Sequence, residues 1–262
     1  MTSNQEGVRV DKSKVAIVTG AGSGIGRGIA QKFLAEGWAV LAVEKRADFL
    51  DQFLADNASF AERVVGMHAD VTDRDAPKAI FERCRAKLGP AICLVNNAGL
   101  GNAKEALATS DDDWNYYLDV NLGGTFRMCR RAIEEMSGGG NIVNIASIFG
   151  LVGFRGSSPY SAAKAGVIGL TRQLAADYGP RGIRVNAVAP GLIVTPATVE
   201  RIESNKWLTQ ALIATAPLGR AGTPEDVAEA VFFLASAGAR HISGVVLPVD
   251  GGWSNTRFYP DL

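Results

Sequence analysis

The feature that most constrains this chain is its rhythm: seven short apolar runs alternate with longer stretches whose apolar residues recur at helical spacing. The runs are Val15 to Thr19, Ala39 to Val43, Arg63 to His68, Ile92 to Asn96, Asn141 to Ala146, Arg184 to Val188 and Val245 to Val249. Most are apolar at consecutive positions, without polar alternation, so they must be covered on both faces, and helices have to lie on either side of the sheet they form. Helical spacing predicts those helices at about Gly24 to Glu36, Ala47 to Asp56, Arg74 to Lys87, Asp111 to Met136, Tyr160 to Tyr178 and Pro224 to Ala235. Gly37 and Gly179 are expected to close helices, and Thr223-Pro224 with Asp226 reads as an N-cap, a first-turn proline and an acidic first turn. The expectation is an α/β protein with a doubly wound, mainly parallel sheet.

At 262 residues, 47% hydrophobic and with no linker or repeat, the chain reads as one domain spanning 1–262. A polar N-terminal tail is expected at 1–12. The less regular stretch 192–223, with apolar Trp207, Leu208, Leu212 and Ile213, reads as a substrate lid. Lys plus Arg and Asp plus Glu are equal at 27 each, so nothing draws the chain to nucleic acid or an anionic membrane, and a small-molecule partner is expected. Cys84, Cys93 and Cys129 lack CxxC spacing and read as buried thiols in a reducing compartment. With a polar start and no long apolar run, the cytoplasm is the expected location. His68 and His241 stand apart, so neither a metal site nor a histidine-based triad is expected.

After the first run comes Thr19-Gly20-Ala21-Gly22-Ser23-Gly24-Ile25-Gly26. Glycines here let a backbone turn sharply and approach a pyrophosphate at a helix N-terminus, although the spacing GxxxGxG departs from GxGxxG. Glu44, at the end of the second run, can accept hydrogen bonds from an adenosine ribose and repel a 2′-phosphate, which favours NAD over NADP. Lys45-Arg46, next in line, argue the other way, since either cation could hold that phosphate.

Tyr160 and Lys164 lie four apart, so on a helix they share a face, and a nearby ammonium is expected to lower the phenol pKa from about 10. Together with Ser147 and Asn96-Asn97-Ala98-Gly99, these residues make the chain resemble the short-chain dehydrogenase/reductase family in its single-domain form, from Lys14 to Gly252. The resemblance implies a Rossmann-type sheet of seven strands in the order 3-2-1-4-5-6-7 and an NAD(P)-dependent oxidoreductase acting on CH–OH groups. It implies a cofactor turn with Gly20, Ser23, Gly24, Ile25 and Gly26, an adenine contact at Asp70-Val71, and a central signature in Asn97, Ala98 and Gly99. Pro190, Gly191, Ile193 and Thr195 would flank nicotinamide, and Val249 to Gly252 would end the last strand. Asn121, Ser147, Tyr160 and Lys164 would be the catalytic four. Tyr160 would move a proton at the substrate oxygen, and Ser147 would hydrogen-bond that oxygen. Lys164 would hold the nicotinamide ribose, and Asn121 would place a water feeding a relay through Lys164. A homotetramer packed through helices near 111–136 and 160–178 is also implied.

Ligands in such sheets bind beyond the carboxyl ends of the strands, so Leu100, Ile148, Phe149, Leu151, Val152, Phe154, Arg155, Ile193, Val194 and Trp207 are expected to line a mainly apolar substrate pocket. Arg155 is a candidate for a substrate carboxylate or phosphate. Rival readings are an NADPH-dependent 3-oxoacyl thioester reductase and, from another class, a non-catalytic dinucleotide-binding sensor. A methyltransferase using another adenosine cofactor is disfavoured by the motifs after the fourth and fifth runs.

Overall fold

Val15–Thr19 forms strand β1, and its residues divide between two core layers: Ala16 and Val18 enter one, Val15 and Ile17 the other. Successive side chains of a strand project to opposite sides, so this division places β1 inside a sheet covered on both faces. The computed structural model describes residues 14–101 and 104–258; the polar tail expected at 1–12 lies outside them. β1 is joined by β2 (Ala39–Glu44), β3 (Val64–His68), β4 (Cys93–Asn96), β5 (Gly140–Ile145), β6 (Ile183–Pro190) and β7 (Val246–Val249). All neighbouring pairs are parallel, in the order β3-β2-β1-β4-β5-β6-β7. This is the doubly wound sheet that the apolar runs and the resemblance imply. The chain changes direction of winding between β1 and β4, and that switch opens a crevice at the strands' carboxyl ends.

On one face lie α1 (Gly24–Ala35), α2 (Ala47–Asp56) and α9 (Pro224–Ala235), which contribute Ile29, Phe33, Phe53, Val227 and Val231 to the core. α1 and α9 approach closely, for a Cβ on Gly28 would fall 2.8 Å from Pro224. Phe33 meets Trp38 and Phe232 edge to face at 5.1 and 5.3 Å. The other face is covered by α3 (Ala76–Lys87), α5 (Gly124–Glu135) and α6 (Ser158–Tyr178), through Ile80, Phe81, Met128, Ile133 and Leu174.

Three local features differ from the sequence-based expectation or refine it. The helix expected over Asp111 to Met136 is two helices, α4 (Asp111–Leu118) and α5, joined by a π-helical turn at Asp119–Gly123. The widened turn carries Asn121, and such turns gather at functional sites. Gly179 does not end α6 in a left-handed conformation. The chain continues through a 3₁₀ turn, Gly179–Arg181, and the left-handed residue is Gly182, with φ 72°. The expected start of α9 is a full capping box: Thr223 Oγ1 accepts from Asp226 N–H at 3.4 Å, and Asp226 Oδ2 accepts from Thr223 N–H at 2.9 Å.

The 192–223 stretch contains α7 (Val199–Ser204), α8 (Lys206–Thr209) and a π turn, Gln210–Ala214. Its two ends are clipped together by a bridge between Ile193 and Gly222, with Val194 N–H donating to Gly222 O and Gly222 N–H to Leu192 O, both at 2.9 Å. Cys84, Cys93 and Cys129 are buried free thiols, each pushed up to about 12 by burial. Among the described residues no helix is long and apolar enough to cross a membrane, and no His/Cys/Asp/Glu group could hold a metal ion.

Candidate active site

The turn after β1 is fixed from below. Thr19 Oγ1 accepts from the N–H groups of Asn97 and Ala98 at 3.0 and 3.1 Å, and Asn97 Nδ2 donates to the carbonyls of Thr19 and Gly20 at 3.0 and 3.2 Å. Gly20 and Gly24 take φ of 64° and 53°, which only glycine adopts without strain. Gly26 has a different role: a Cβ there would fall 2.0 Å from Gly20 O, so this residue lets α1 pack onto the turn itself. Ser23, the N-cap of α1, makes no side-chain capping bond, and the first turn contains no acidic residue. The N-terminal N–H groups are therefore left for an external acceptor, with the helix dipole favouring an anion.

A groove of about 420 Å³ runs from this turn along the ends of β2 and β3. Gly20, Ser23, Gly24, Ile25, Glu44, Asp70, Val71, Asn97, Ala98, Gly99 and Thr195 line it, together with Lys45 and Arg46. Glu44 is nearly buried, its Oε2 accepting from Gly22 N–H at 3.1 Å and Oε1 from Arg46 N–H at 3.0 Å. A carboxylate so held keeps lone pairs for ribose hydroxyls. The neighbouring cations are already engaged: Lys45 Nζ lies 2.7 Å from Asp70 Oδ2, while Arg46 pairs with Asp48 and lies 3.6 Å above the Phe49 ring. Glycines that a Cβ would obstruct, uncapped helix N–H groups and a carboxylate at the ribose end fit a dinucleotide.

Next to the groove opens a cleft of about 360 Å³ that brings Asn121, Ser147, Tyr160 and Lys164 together with Pro190, Gly191 and Ile193. Ser147 stands two residues beyond β5, at the head of a 3₁₀ turn over Ile148–Gly150, and its Oγ accepts from Phe149 N–H at 3.2 Å. Tyr160 and Lys164 project from the first turns of α6, which Pro159 helps to start. Asn121 is fully buried in the π turn, its Nδ2 donating to Tyr117 O and its Oδ1 accepting from Leu100 N–H, both at 3.1 Å. Gly99 leaves room between two of these groups, since a Cβ there would fall 2.7 Å from Asn121 Oδ1 and 3.5 Å from Lys164 Nζ.

The electrostatics differ from the simple expectation that Lys164 lowers the Tyr160 pKa. Part of Tyr160 faces the open cleft, yet burial raises its phenol above the ordinary value, opposed by a hydrogen bond with Ser147 and by the charge of Arg201. Lys164 is itself buried and is pulled down to about 8. Its Nζ donates to Ile145 O at 2.8 Å and lies 5.7 Å from the Tyr160 ring centre. Desolvation of both charged forms thus outweighs helical proximity.

Of the residues expected in the substrate pocket, Leu100, Ile148, Phe149, Phe154, Arg155, Ile193 and Trp207 line the cleft, whereas Leu151, Val152 and Val194 do not. Leu151 instead packs against the cluster around Val167 and Ile168, and Val194 is largely exposed. Sequence reasoning missed Thr198, Arg201 and Asn205. With Leu208 and Leu212 they form one stripe at steps of three and four, a helical signal hidden by the shortness of α7 and α8. Phe49 and Tyr116 in the groove were missed as well, carried there by α2 and α4.

Comparison with known proteins agrees with this geometry. The family profile described as enoyl-(acyl carrier protein) reductase matches residues 20–254. The chain is 42% identical to cis-4-hydroxycyclohexanecarboxylate dehydrogenase of Sinomonas cyclohexanicum, covering 92% of this chain and 96% of that one. It is 37% identical to a 3-oxoacyl-acyl-carrier-protein reductase of Thermotoga maritima, over 92% of this chain and 98% of the relative. A crystal structure provisionally assigned as a gluconate dehydrogenase from Agrobacterium tumefaciens superposes with a TM-score of 0.88 at 28% identity, covering 93% of this chain and 96% of the other. With a serine, a tyrosine and a lysine gathered at the carboxyl end of a doubly wound sheet beside a glycine turn, this oxidoreductase belongs to the short-chain dehydrogenase/reductase family.

Proposed function

We propose that the protein interconverts a secondary alcohol and a ketone with NAD(H), and that Tyr160 transfers the proton at the substrate oxygen. The observation that carries this reading is the placement of Tyr160, in contact with Ser147, in a cleft that shares Asn97, Gly99, Leu100 and Thr195 with the dinucleotide groove. A bound nicotinamide supplies the hydride acceptor or donor. Ser147 orients the substrate oxygen, and Tyr160 gives it a proton in reduction or takes one in oxidation. Burial, opposed by Ser147 and Arg201, raises the Tyr160 phenol above its ordinary value, a shift that favours the acid role. Lys164 would hold the nicotinamide ribose hydroxyls, and Asn121 secures the Leu100 backbone at the edge of the cleft. Stretch 192–223 serves as the lid.

Preference for NAD is supported by Glu44 at the ribose end and by the engagement of Lys45 and Arg46 with Asp70 and Asp48, carboxylates that a 2′-phosphate would have to displace. The activity of the Thermotoga relative, a 3-oxoacyl-acyl-carrier-protein reductase, favours a second reading, reduction of a 3-oxoacyl thioester. A pure dinucleotide sensor has no use for the Ser147–Tyr160 contact. The cytoplasm suits three buried, unpaired thiols. A homotetramer suits Trp114, Tyr116 and Phe126, which leave apolar surface exposed on α4 and α5; light scattering showing a monomer refutes it.

The test is Tyr160→Phe. Turnover should fall by about a hundredfold to ten-thousandfold while dinucleotide binding, read by energy transfer from tryptophan, stays within a few fold. Undiminished turnover rejects the proton-transfer role. Acetoacetyl thioester reduced with NADPH faster than any alcohol is oxidised with NAD selects the second reading.

A further inference from the structure

The π turn at Asp119–Gly123 touches both halves of the crevice. Val120 lines the dinucleotide groove, and Asn121, the next residue, lines the cleft. Leu122 packs against α6, the helix that carries Tyr160 and Lys164, where a Cβ on Gly166 would fall 2.7 Å from Leu122 Cδ2. Successive residues of a helical turn point in different directions, which lets three neighbours serve three parts of the site. A displacement of this turn therefore moves the groove wall, Asn121 and the packing of α6 together.

Arg127, on α5, holds the turn in place. Its Nη2 donates to Asp119 Oδ1 at 2.8 Å and to Asp119 O at 3.3 Å, and its Nε donates to Val71 O at 3.4 Å. The Asp119 carbonyl is also the one that accepts the Gly124 N–H across the π turn. Arg127 stands eight positions after Asp119. In an uninterrupted α-helix, eight residues at about 100° each overshoot two full turns by about 80°; a widened turn that absorbs one residue brings Arg127 back to within about 20° of Asp119. The contact thus requires the π turn that it braces. Two glycines make the room: a Cβ on Gly123 would fall 2.8 Å from Asp119 Oδ1, and one on Gly124 would fall 2.9 Å from Val71 Cγ2. A surface ion pair alone signifies little. Here the arginine side chain is only 15% exposed, and one planar fork reaches two separate segments, the turn and the backbone of Val71 in the groove wall.

We propose that Arg127 is a positioning residue that ties the π turn to Val71, so that a nucleotide seated against Val71 and Val120 also fixes Asn121 in the cleft. Asn121 Oδ1 in turn accepts the Leu100 N–H at 3.1 Å, which carries the constraint to the far side of Gly99. Filling the groove and arranging the cleft become one event, and the ordering of Asn121 is drawn from nucleotide binding and not from the substrate. This inference rests on the reading of the groove as a dinucleotide site.

The experiment uses the full chain and ADP, a probe that lacks the nicotinamide half. Binding of ADP and of NADH is read by tryptophan fluorescence, and backbone hydrogen exchange over 119–124 is followed by mass spectrometry with and without saturating ADP, well below the unfolding temperature. In the parent, ADP should slow exchange there by about tenfold. In Arg127→Met, which keeps an apolar stem and loses the fork, most of that protection should vanish and NADH should bind about tenfold more weakly. Arg127→Lys, the milder change, keeps a charge for Asp119 without the fork, so it should restore the unfolding temperature and not the ADP-dependent protection. A brace that serves stability alone lowers the unfolding temperature of Arg127→Met and leaves protection and nucleotide affinity as in the parent; that result overturns the inference. Nucleotide binding to the parent without protection over 119–124 rejects the coupling and leaves the groove standing. A parent that binds neither ADP nor NADH rejects the dinucleotide reading itself, and the inference falls with it.

Discussion

The two halves of the crevice are made of different material. The dinucleotide groove is shaped by backbone: Gly20 and Gly24 in left-handed conformations, Gly26 packed on Gly20, and Asn97 pinned to the carbonyls of Thr19 and Gly20. The substrate cleft is shaped by side chains: aromatics stacked in the connection between β5 and α6, a lysine on α6, and residues of the clipped stretch that holds α7 and α8. Backbone surfaces admit few substitutions because every residue shares them. Side-chain surfaces change one residue at a time, which suits a family in which one nucleotide site serves many substrates.

The contrast is most easily broken at Gly26. Gly26→Ala puts a Cβ 2.0 Å from Gly20 O and 2.3 Å from Asn97 Nδ2, and should cost about 3 kcal/mol or more of stability and abolish dinucleotide binding. A melting temperature close to that of the parent, with binding intact, would mean that the groove yields as readily as the cleft.

Lys164 sharpens the contrast, since it belongs to the side-chain half. Its pKa falls from 10.5 in the unfolded chain to about 8 in the fold because of burial. Below about pH 8 both states hold the proton and the buried charge costs its full amount. As pH rises toward 10.5 the folded protein releases the proton first, so stability increases. Urea unfolding without cofactor should therefore show the parent gaining on Lys164→Met, by at most about 3 kcal/mol, between pH 7 and 10.5. A constant difference across that window means that the ammonium is solvated.

Glu44→Ala should improve NADP(H) binding relative to NAD(H) by about tenfold, since a carboxylate that repels a 2′-phosphate is gone. An unchanged ratio would remove Glu44 as the selector. The smallest effect belongs to Asp226, which lines neither the groove nor the cleft. Arg220 beside it, and then the Thr223 N–H, hold its carboxyl down at about 2. The contribution is present above the usual carboxylate range and is lost as pH falls from about 4 to 2. Asp226→Asn should cost about 1 kcal/mol at neutral pH and leave dinucleotide binding alone.

Much of the backbone half is legible in the sequence. Seven apolar runs fixed a sheet buried on both faces, and glycine spacing after β1 marked the turn, because each follows from local constraints that residue types state directly. The side-chain half was only partly legible. Tyr160 and Lys164 could be paired by helical spacing, but the direction of their pKa shifts depends on burial, which spacing does not report. The π turn around Asn121 was invisible because one extra residue in a turn leaves the apolar rhythm nearly intact. Arg201 was overlooked because its stripe crosses from α7 into α8 through the break at Asn205.

The clip between Ile193 and Gly222 has an evolutionary meaning. A chain whose two ends are joined by their own hydrogen bonds is a cassette: residues can be exchanged or inserted between the clip points while the strands on either side keep their register. Lengthening such a closed loop adds little entropic cost, about 0.6 kcal/mol for each doubling. Under the proposed lid role, new specificity is acquired inside the cassette without rebuilding the sheet beneath it.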